Sequence, residues 1–230
     1  MSGALAASAL LTVLVALPAA PAHACNASER AAAAKRGKRV GPPPWVIGDS
    51  TAIIATPVLG RLGIEADALG CRWFDQGTSM VRARGYRAPN AVVLALGAAG
   101  GAARRDVWRA RRVVGKRRFL FLVTPRNYPS ARAVYLAAAR RQPDRVAVID
   151  WTAHSAGRGD WFFGDGLHVN HTGARVWARL IRAALDPFFG PPRRGRALGI
   201  PEERDAGNVT ACGTTRAHGR RTEVFITRGP

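Results

Sequence analysis

Between Trp45 and Leu185, short apolar runs alternate with longer segments of helical spacing, and this alternation constrains the fold more than any other feature of the chain. The runs are Trp45–Ile47, Ile64–Leu69, Ala91–Leu96, Phe119–Val123 and Val146–Ile149, each with Gly, Pro, Asp or Asn within two residues of at least one end. Between them lie segments of helical spacing, roughly Thr51–Leu62, Asp75–Arg84, Ala103–Val114 and Ser130–Arg141, and a last one covers Thr172–Leu185. Strands apolar on both faces, joined by helix-length connections, predict an α/β domain: an open, doubly wound, five-stranded parallel sheet with helices on both faces. Ligands of such sheets bind beyond the carboxyl ends of the strands, so the turns after the runs are the places to look for chemistry.

The rest of the chain divides around that domain. Nearly half of the 230 residues are hydrophobic (47%), which supplies one sizeable core and excludes a chain disordered throughout. From Ala4 to Ala20 the chain is almost wholly apolar and carries no charge, and Ala22-His23-Ala24 then forms a small-x-small site before Cys25. Residues 1–24 therefore read as a secretory signal cleaved after Ala24. A retained anchor is the rival reading, but the run is short for a span and is broken by Pro18. Acylation of Cys25 would want Leu or a similar residue where Ala22 stands. Residues 25–44, ending in Pro42-Pro43-Pro44, read as a linker, 45–186 as the domain, and 187–230 as a basic Pro/Gly/Arg-rich extension with a strand candidate at Glu223–Thr227. The mature part is expected outside the cytoplasmic membrane and without a transmembrane segment. Cys25, Cys71 and Cys212 include no CxxC pair, which leaves no structural zinc site. Export allows a disulfide, and the expected pair is Cys25–Cys212, tying the flanks together with Cys71 free.

The formal charge is +20, from 35 Lys and Arg against 15 Asp and Glu. Only Lys35, Lys38 and Lys116 are lysines, and a GC-rich coding sequence yields such an Arg-, Ala-, Gly- and Pro-rich chain without selection for binding. The functional counterpart is salt-sensitive attraction to anionic wall polymers, acidic lipid or nucleic acid. The arginine clusters flank apolar periodic segments and follow no nucleic-acid-binding pattern, so no specific nucleic acid is expected.

Two strand-end segments carry chemistry. Gly48-Asp49-Ser50 follows the first run directly and a helical segment follows it, which sets Ser50 at a strand-to-helix turn suited to a nucleophile. An ordinary turn or N-cap is the alternative for this tripeptide taken alone. Far along the chain, Asp165-Gly166-Leu167-His168 precedes the last helix. Asp165 can fold back across Gly166 to hold one imidazole nitrogen of His168 while the other faces Ser50; otherwise Asp165 caps a turn and His168 packs. His168 and His171 have a HisxxHis spacing but no evident third ligand, so no metal is expected, and no cofactor either. His154 is a candidate lining residue of the cleft or a solvated loop histidine. Trp45, Trp73, Trp151, Trp161 and Phe163 are candidates for a sugar-stacking platform or for the core. Gly97–Gly101 lacks the Lys and Ser/Thr of a phosphate loop and suits a turn at the substrate edge.

Val46-Ile47-Gly48-Asp49-Ser50-Thr51, the later Asp165-Gly166-Leu167-His168-Val169-Asn170, and Asp150-Trp151 with Trp161-Phe162 between them resemble the SGNH hydrolases, or GDSL-type esterases. Within that superfamily the chain is most similar to the catalytic domains that accompany membrane O-acetyltransferases acting on bacterial cell-surface glycans. The resemblance covers about Trp45 to Asp186 and implies a flavodoxin-like three-layer fold. It implies Ser50 as nucleophile, His168 as general base and then acid, and Asp165 as the group orienting His168. It also implies an oxyanion donor from a glycine after the second strand, for which Gly70 is the candidate. The Asn that such chains carry after the third strand is missing: Leu96-Gly97-Ala98-Ala99 places Ala99 there, so the oxyanion is left to backbone donors at Ser50 and Gly70 or to Asn127 after the fourth strand as a substitute, with Gly97 a further candidate at the substrate edge. The expected function is an exported serine esterase or O-acyltransferase acting on an acylated carbohydrate or small ester, such as O-acetyl groups of a cell-surface glycan. The alternatives are a catalytically degenerate relative that binds wall glycan and a basic wall-anchoring protein.

Overall fold

The computed structural model describes residues 25–35, 41–189, 213–217 and 220–224. The expected signal segment 1–24 lies outside the described residues, as does Cys212. One sheet organises the domain: β1 (Ser28–Ala31), β2 (Trp45–Gly48), β3 (Glu65–Leu69), β4 (Ala91–Ala95), β5 (Phe119–Val123) and β6 (Val146–Ile149), in the spatial order β1-β3-β2-β4-β5-β6. All neighbours run parallel except β1, which lies antiparallel to β3 at the edge. Because successive side chains point to opposite faces, each central strand feeds two cores. Val46, Val93 and Phe121 pack on one face with α1 (Thr56–Arg61) and α6 (His171–Ala184), whereas Ile47, Leu94 and Leu122 pack on the other with α2 (Phe74–Arg84), α3 (Arg104–Val114) and α4 (Pro129–Arg141). That double burial is why these strands read as unbroken apolar runs. A short α5 (Trp151–His154) follows β6.

Three expectations are corrected. The sheet has six strands, not five: Ser28-Glu29-Arg30-Ala31, read as linker, pairs with β3 from Ser28↔Leu69 to Ala31↔Ala66. An edge strand with alternately exposed and half-buried positions has no apolar run to announce it. The first helix also starts later. Ser50–Ala52 is a 3₁₀ turn and α1 begins at Thr56 with Pro57 in its first turn, where a missing N–H does no harm; further inside a helix Pro57 would break it. Lastly, the disulfide joins Cys25 to Cys71, with Cα atoms 4.8 Å apart, because β1 lies along β3 and brings Cys25 beside the turn after Leu69.

At the other end, the packed domain extends past Asp186: Phe188 lies against Phe119 and Phe121, with ring centroids 6.0 and 5.8 Å away. Farther on, β7 (Gly213–Ala217) and β8 (Arg220–Val224) form a two-stranded antiparallel sheet, the latter overlapping the expected strand at Glu223–Thr227. Among the described residues no helix is long and apolar enough to cross a membrane.

The Cys25–Cys71 bond closes a chain loop with a sequence separation of 46. Its removal in a Cys25→Ser/Cys71→Ser double variant is expected to lower stability by about 2–4 kcal/mol in denaturant titrations. Non-reducing peptide mapping should recover the Cys25–Cys71 crosslink; recovery of Cys71 as a free thiol would contradict this topology.

Candidate active site

The site forms at the carboxyl end of β2. Asp49, only 1% exposed, leaves the strand in extended conformation and caps the 3₁₀ turn. Its Oδ1 accepts from Thr51 N–H (3.1 Å) and Thr51 Oγ1 (2.7 Å), and its Oδ2 accepts from Ala98 N–H (2.9 Å) on the turn after β4. Burial pushes the carboxyl above the ordinary carboxylate range, against the opposing pull of the bonds from Thr51 and Ala98 and of the His168 charge. One buried side chain thus joins the turn bearing Ser50 to the turn 97–101.

Ser50, half-buried, meets the loop before α6. Its Oγ lies 2.9 Å from His168 Nε2, and His168 Nδ1 lies 2.6 Å from Asp165 Oδ2. Donation of the Nδ1 proton to the carboxylate leaves Nε2 as the acceptor of the Ser50 O–H. Asp165 folds back as its sequence spacing anticipates: Gly166 takes φ +64°, and Oδ1 accepts from the N–H groups of Leu167 (2.9 Å) and His168 (3.0 Å). Partial burial pushes the Asp165 carboxyl up, but the bonds from the His168 ring and the two N–H groups outweigh it and hold the group below its usual range. The loop is itself pinned. Phe163 N–H donates to the His168 carbonyl (2.9 Å), Asn170 N–H donates to the Trp161 carbonyl (3.0 Å), and Asn170 Oδ1 caps α6 by accepting from Thr172 and Gly173.

The remaining candidates fall differently. Gly70 donates its N–H to the Ala27 carbonyl at 2.7 Å, just past the Ser28↔Leu69 end of the β1–β3 pairing, so this donor is already engaged. That engagement removes it from the oxyanion role, and the cause is the edge strand that the linker reading overlooked. Gly97 adopts φ +113° at the start of its turn, and Asn127 Nδ2 donates to the Ala98 carbonyl (3.0 Å), tying Asn127 to the same turn. His154 packs against both Trp151 and Trp161, with ring centroids 6.0 and 5.7 Å away, and burial, followed by the Arg158 charge, pushes it down. Trp45, Trp151 and Trp161 belong to the core, whereas Trp73 and Phe163 are exposed. The Trp73 ring covers Gly100 so closely that a Cβ there would meet it at 2.2 Å, placing this indole on the turn 97–101. His171 opens α6, and among the described residues no group of three His, Cys, Asp or Glu side chains is arranged to hold a metal ion.

Sequence reading missed Arg72. It is 4% exposed; its Nη1 donates to the carbonyls of Gly48 (2.9 Å) and Asp67 (2.7 Å), and its Nη2 to Asp67 Oδ1 (2.6 Å). Arg30 of β1 meets the other Asp67 oxygen at 2.7 Å. The guanidinium thereby fixes the peptide that leads into Asp49 and Ser50. Its only sequence signal is an arginine following an apolar strand, and arginines are common throughout this chain.

No family model and no curated protein matches this chain. Among solved structures it is similar to the C-terminal catalytic domain of peptidoglycan O-acetyltransferase A from Streptococcus pneumoniae, solved with a methylsulfonyl adduct. That likeness has a TM-score of 0.54 at 22% identity and covers 64% of this chain and 94% of that one. It is also similar to a lipase/acylhydrolase from Enterococcus faecalis, with a TM-score of 0.52 at 17% identity, over 66% of this chain and 99% of that one. The fold is that of the SGNH hydrolases.

Replacing Arg72 with Met keeps much of the packing and deletes the donors to Gly48 and Asp67. It is expected to cost about 3 kcal/mol of stability, because two carbonyls and a carboxylate lose buried partners. Urea titration checks this, and an unchanged midpoint would show that Arg72 does not hold the turn.

Proposed function

We propose that this chain is an exported serine esterase or O-acyltransferase that works on acyl esters of a cell-surface carbohydrate through an acyl-enzyme. The observation that carries this reading is the unbroken hydrogen-bond chain Asp165–His168–Ser50, with its 2.6 and 2.9 Å links. Ser50 Oγ attacks the acyl carbonyl while His168 Nε2 takes its proton, and Asp165 steadies the imidazolium that forms. Collapse of the tetrahedral intermediate breaks the ester C–O bond, and His168 returns the proton to the departing alcohol. Water or a sugar hydroxyl then attacks the acyl-serine with the same histidine as base; water gives hydrolysis and the hydroxyl gives transfer. No cofactor or metal enters these steps.

We assign the oxyanion to the Ser50 N–H at the start of the 3₁₀ turn, with the second N–H of the Asn127 side-chain amide, whose first N–H holds it to the Ala98 carbonyl, as the other donor. Ala99 contributes no side-chain donor. Loss of one such donor slows acyl transfer by about 10² to 10³, against total accelerations of about 10⁶ or more, so the reading requires a weakened enzyme and not a dead one. The glycan assignment is supported by the likeness to a peptidoglycan O-acetyltransferase domain and by the exposed Trp73 and Phe163, flat apolar surfaces suited to a sugar ring. Export is supported by the apolar leader with its small-x-small site and by a disulfide, which persists in oxidising compartments. The same disulfide engages the Cys25 thiol and argues against acylation there. At +20 the exported chain would also be drawn to anionic wall polymers.

Ala99 and the engaged Gly70 N–H favour a second reading, a degenerate relative that binds wall glycan without turnover. Turnover of a small chromogenic acetyl ester separates the two. Wild type is expected to hydrolyse it, and Ala99→Asn to raise kcat by up to about 10² to 10³ with little change in KM, since the oxyanion exists only in the transition state. Wild type and Ala99→Asn both indistinguishable from Ser50→Ala across several acyl esters would leave the binding protein as the better account.

A further inference from the structure

Away from the Ser50 site, α3 and α4 enclose a groove of about 740 Å³. Its floor is apolar. Val107 and Val134 line it together with Ala137 and Ala138, whose small side chains leave the space open, and Val146 closes it toward the sheet. Arg104, Arg105, Arg111 and Arg141 also line it, and no Asp or Glu does so among the described residues. Trp108 stands at the opening, 54% exposed, with the Arg112 guanidinium 4.5 Å above its ring. On α3 the spacing Arg104, Trp108, Arg111 repeats every three or four residues, so these side chains share one helix face.

Inside, Arg111 is poorly matched by the protein. One of its terminal nitrogens donates to the Gly115 carbonyl (2.6 Å), while its buried Nε has no partner among the described residues. Burial pushes the guanidinium down and the charge of Arg145 pushes it further, so a bound anion would relieve both effects. The nearest acids in sequence do not reach Arg111 as an ion pair: Asp106 accepts from Ala103 N–H at the start of α3 (2.9 Å) and meets the exposed Arg105 at 3.8 Å, and Asp144 already has an interaction.

We propose that the α3–α4 groove is a site for an anionic phospholipid at a bilayer surface, with the acyl chain on the apolar floor, Trp108 at the interface and the arginines on the phosphate. The combination selects this occupant. A soluble polyanion would use the arginines and leave an apolar cleft of this size unfilled, and a neutral lipid would use the cleft and leave the positive rim uncompensated, since of its four arginines only Arg105 has a carboxylate near, Asp106 Oδ1 at 3.8 Å. Residues 190–230 carry eight arginines against four acidic residues, and a second copy would bring its own +20, so neither complements the rim. Tryptophan beside arginine is the side-chain pairing that suits a membrane interface, where one end of each is apolar and the other polar.

Co-sedimentation of the purified protein with phosphatidylglycerol-containing and pure phosphatidylcholine vesicles at 0.15 M salt tests the site. Every variant is compared in the same full chain, with folding checked by thermal melting. Wild type is expected to favour the anionic vesicles. Trp108→Ala is expected to weaken that binding about tenfold, and Arg111→Gln or Arg141→Gln about fivefold each. Arg179→Gln, which removes the same charge from an exposed position on α6, should change it less than twofold. Equal losses for Arg141→Gln and Arg179→Gln, with no loss for Trp108→Ala, would overturn the site in favour of diffuse charge attraction. Polyphosphate binding that matches vesicle binding and ignores Trp108→Ala would overturn it in favour of a polyanion.

Discussion

The Asp49 carboxylate is the constraint on which the Ser50 end of this molecule depends. Taken almost wholly out of water, it is held by three donors from two separate turns, Thr51 N–H, Thr51 Oγ1 and Ala98 N–H. A buried carboxylate without those donors would be costly to keep, so the turns after β2 and β4 must stay where they are for the domain to remain folded. Arg72 secures the same peptide from below by donating to the Gly48 carbonyl. Ser50, next along the chain, inherits its position from both. Its own hydrogen bond to His168 is therefore made between two independently braced segments, since the Asp165–His168 loop is pinned by Phe163, Trp161 and the Asn170 cap.

How much of this was legible in the amino-acid sequence follows from where the information is local. β2, β4, β5 and β6 announce themselves as apolar runs because helices cover both faces. β1 carries no such pattern: Ser28, Glu29 and Arg30 hold their place through pairing with β3, the Arg30–Asp67 ion pair and the Cys25–Cys71 bond, all of which are non-local. Missing that strand had two consequences. It left Cys25 free for a wrong pairing with Cys212, and it left the Gly70 N–H open as an oxyanion donor when Ala27 in fact takes it. Helix α1 shows the reverse case, where a local signal, Pro57, was present and outweighed by apolar spacing.

The candidate site was more legible than its support. Ser50 at a strand end, and Asp165 and His168 separated by a glycine-containing turn, are arrangements whose geometry is largely dictated by a few consecutive residues, and the structure brings the three side chains into one line of hydrogen bonds. Arg72 and the engagement of Asn127 with the Ala98 carbonyl depend on contacts between distant turns, and no spacing rule encodes them. The α3–α4 groove belongs to the same class. Its arginines look like compositional bias in sequence, and only the packing of two helices shows that several of them surround one apolar space.

The central claim is that Ser50 is a nucleophile activated by His168 and Asp165. Reaction with a fluorophosphonate probe, mapped by peptide mass spectrometry, tests it most directly because it needs no knowledge of the natural substrate. The account predicts a single adduct on Ser50, lost in Ser50→Ala and formed about 10³ to 10⁴ times more slowly in Asp165→Asn, where the imidazole is held in the wrong tautomer. A wild-type chain that stays unlabelled, or labelling that survives Ser50→Ala, would contradict it.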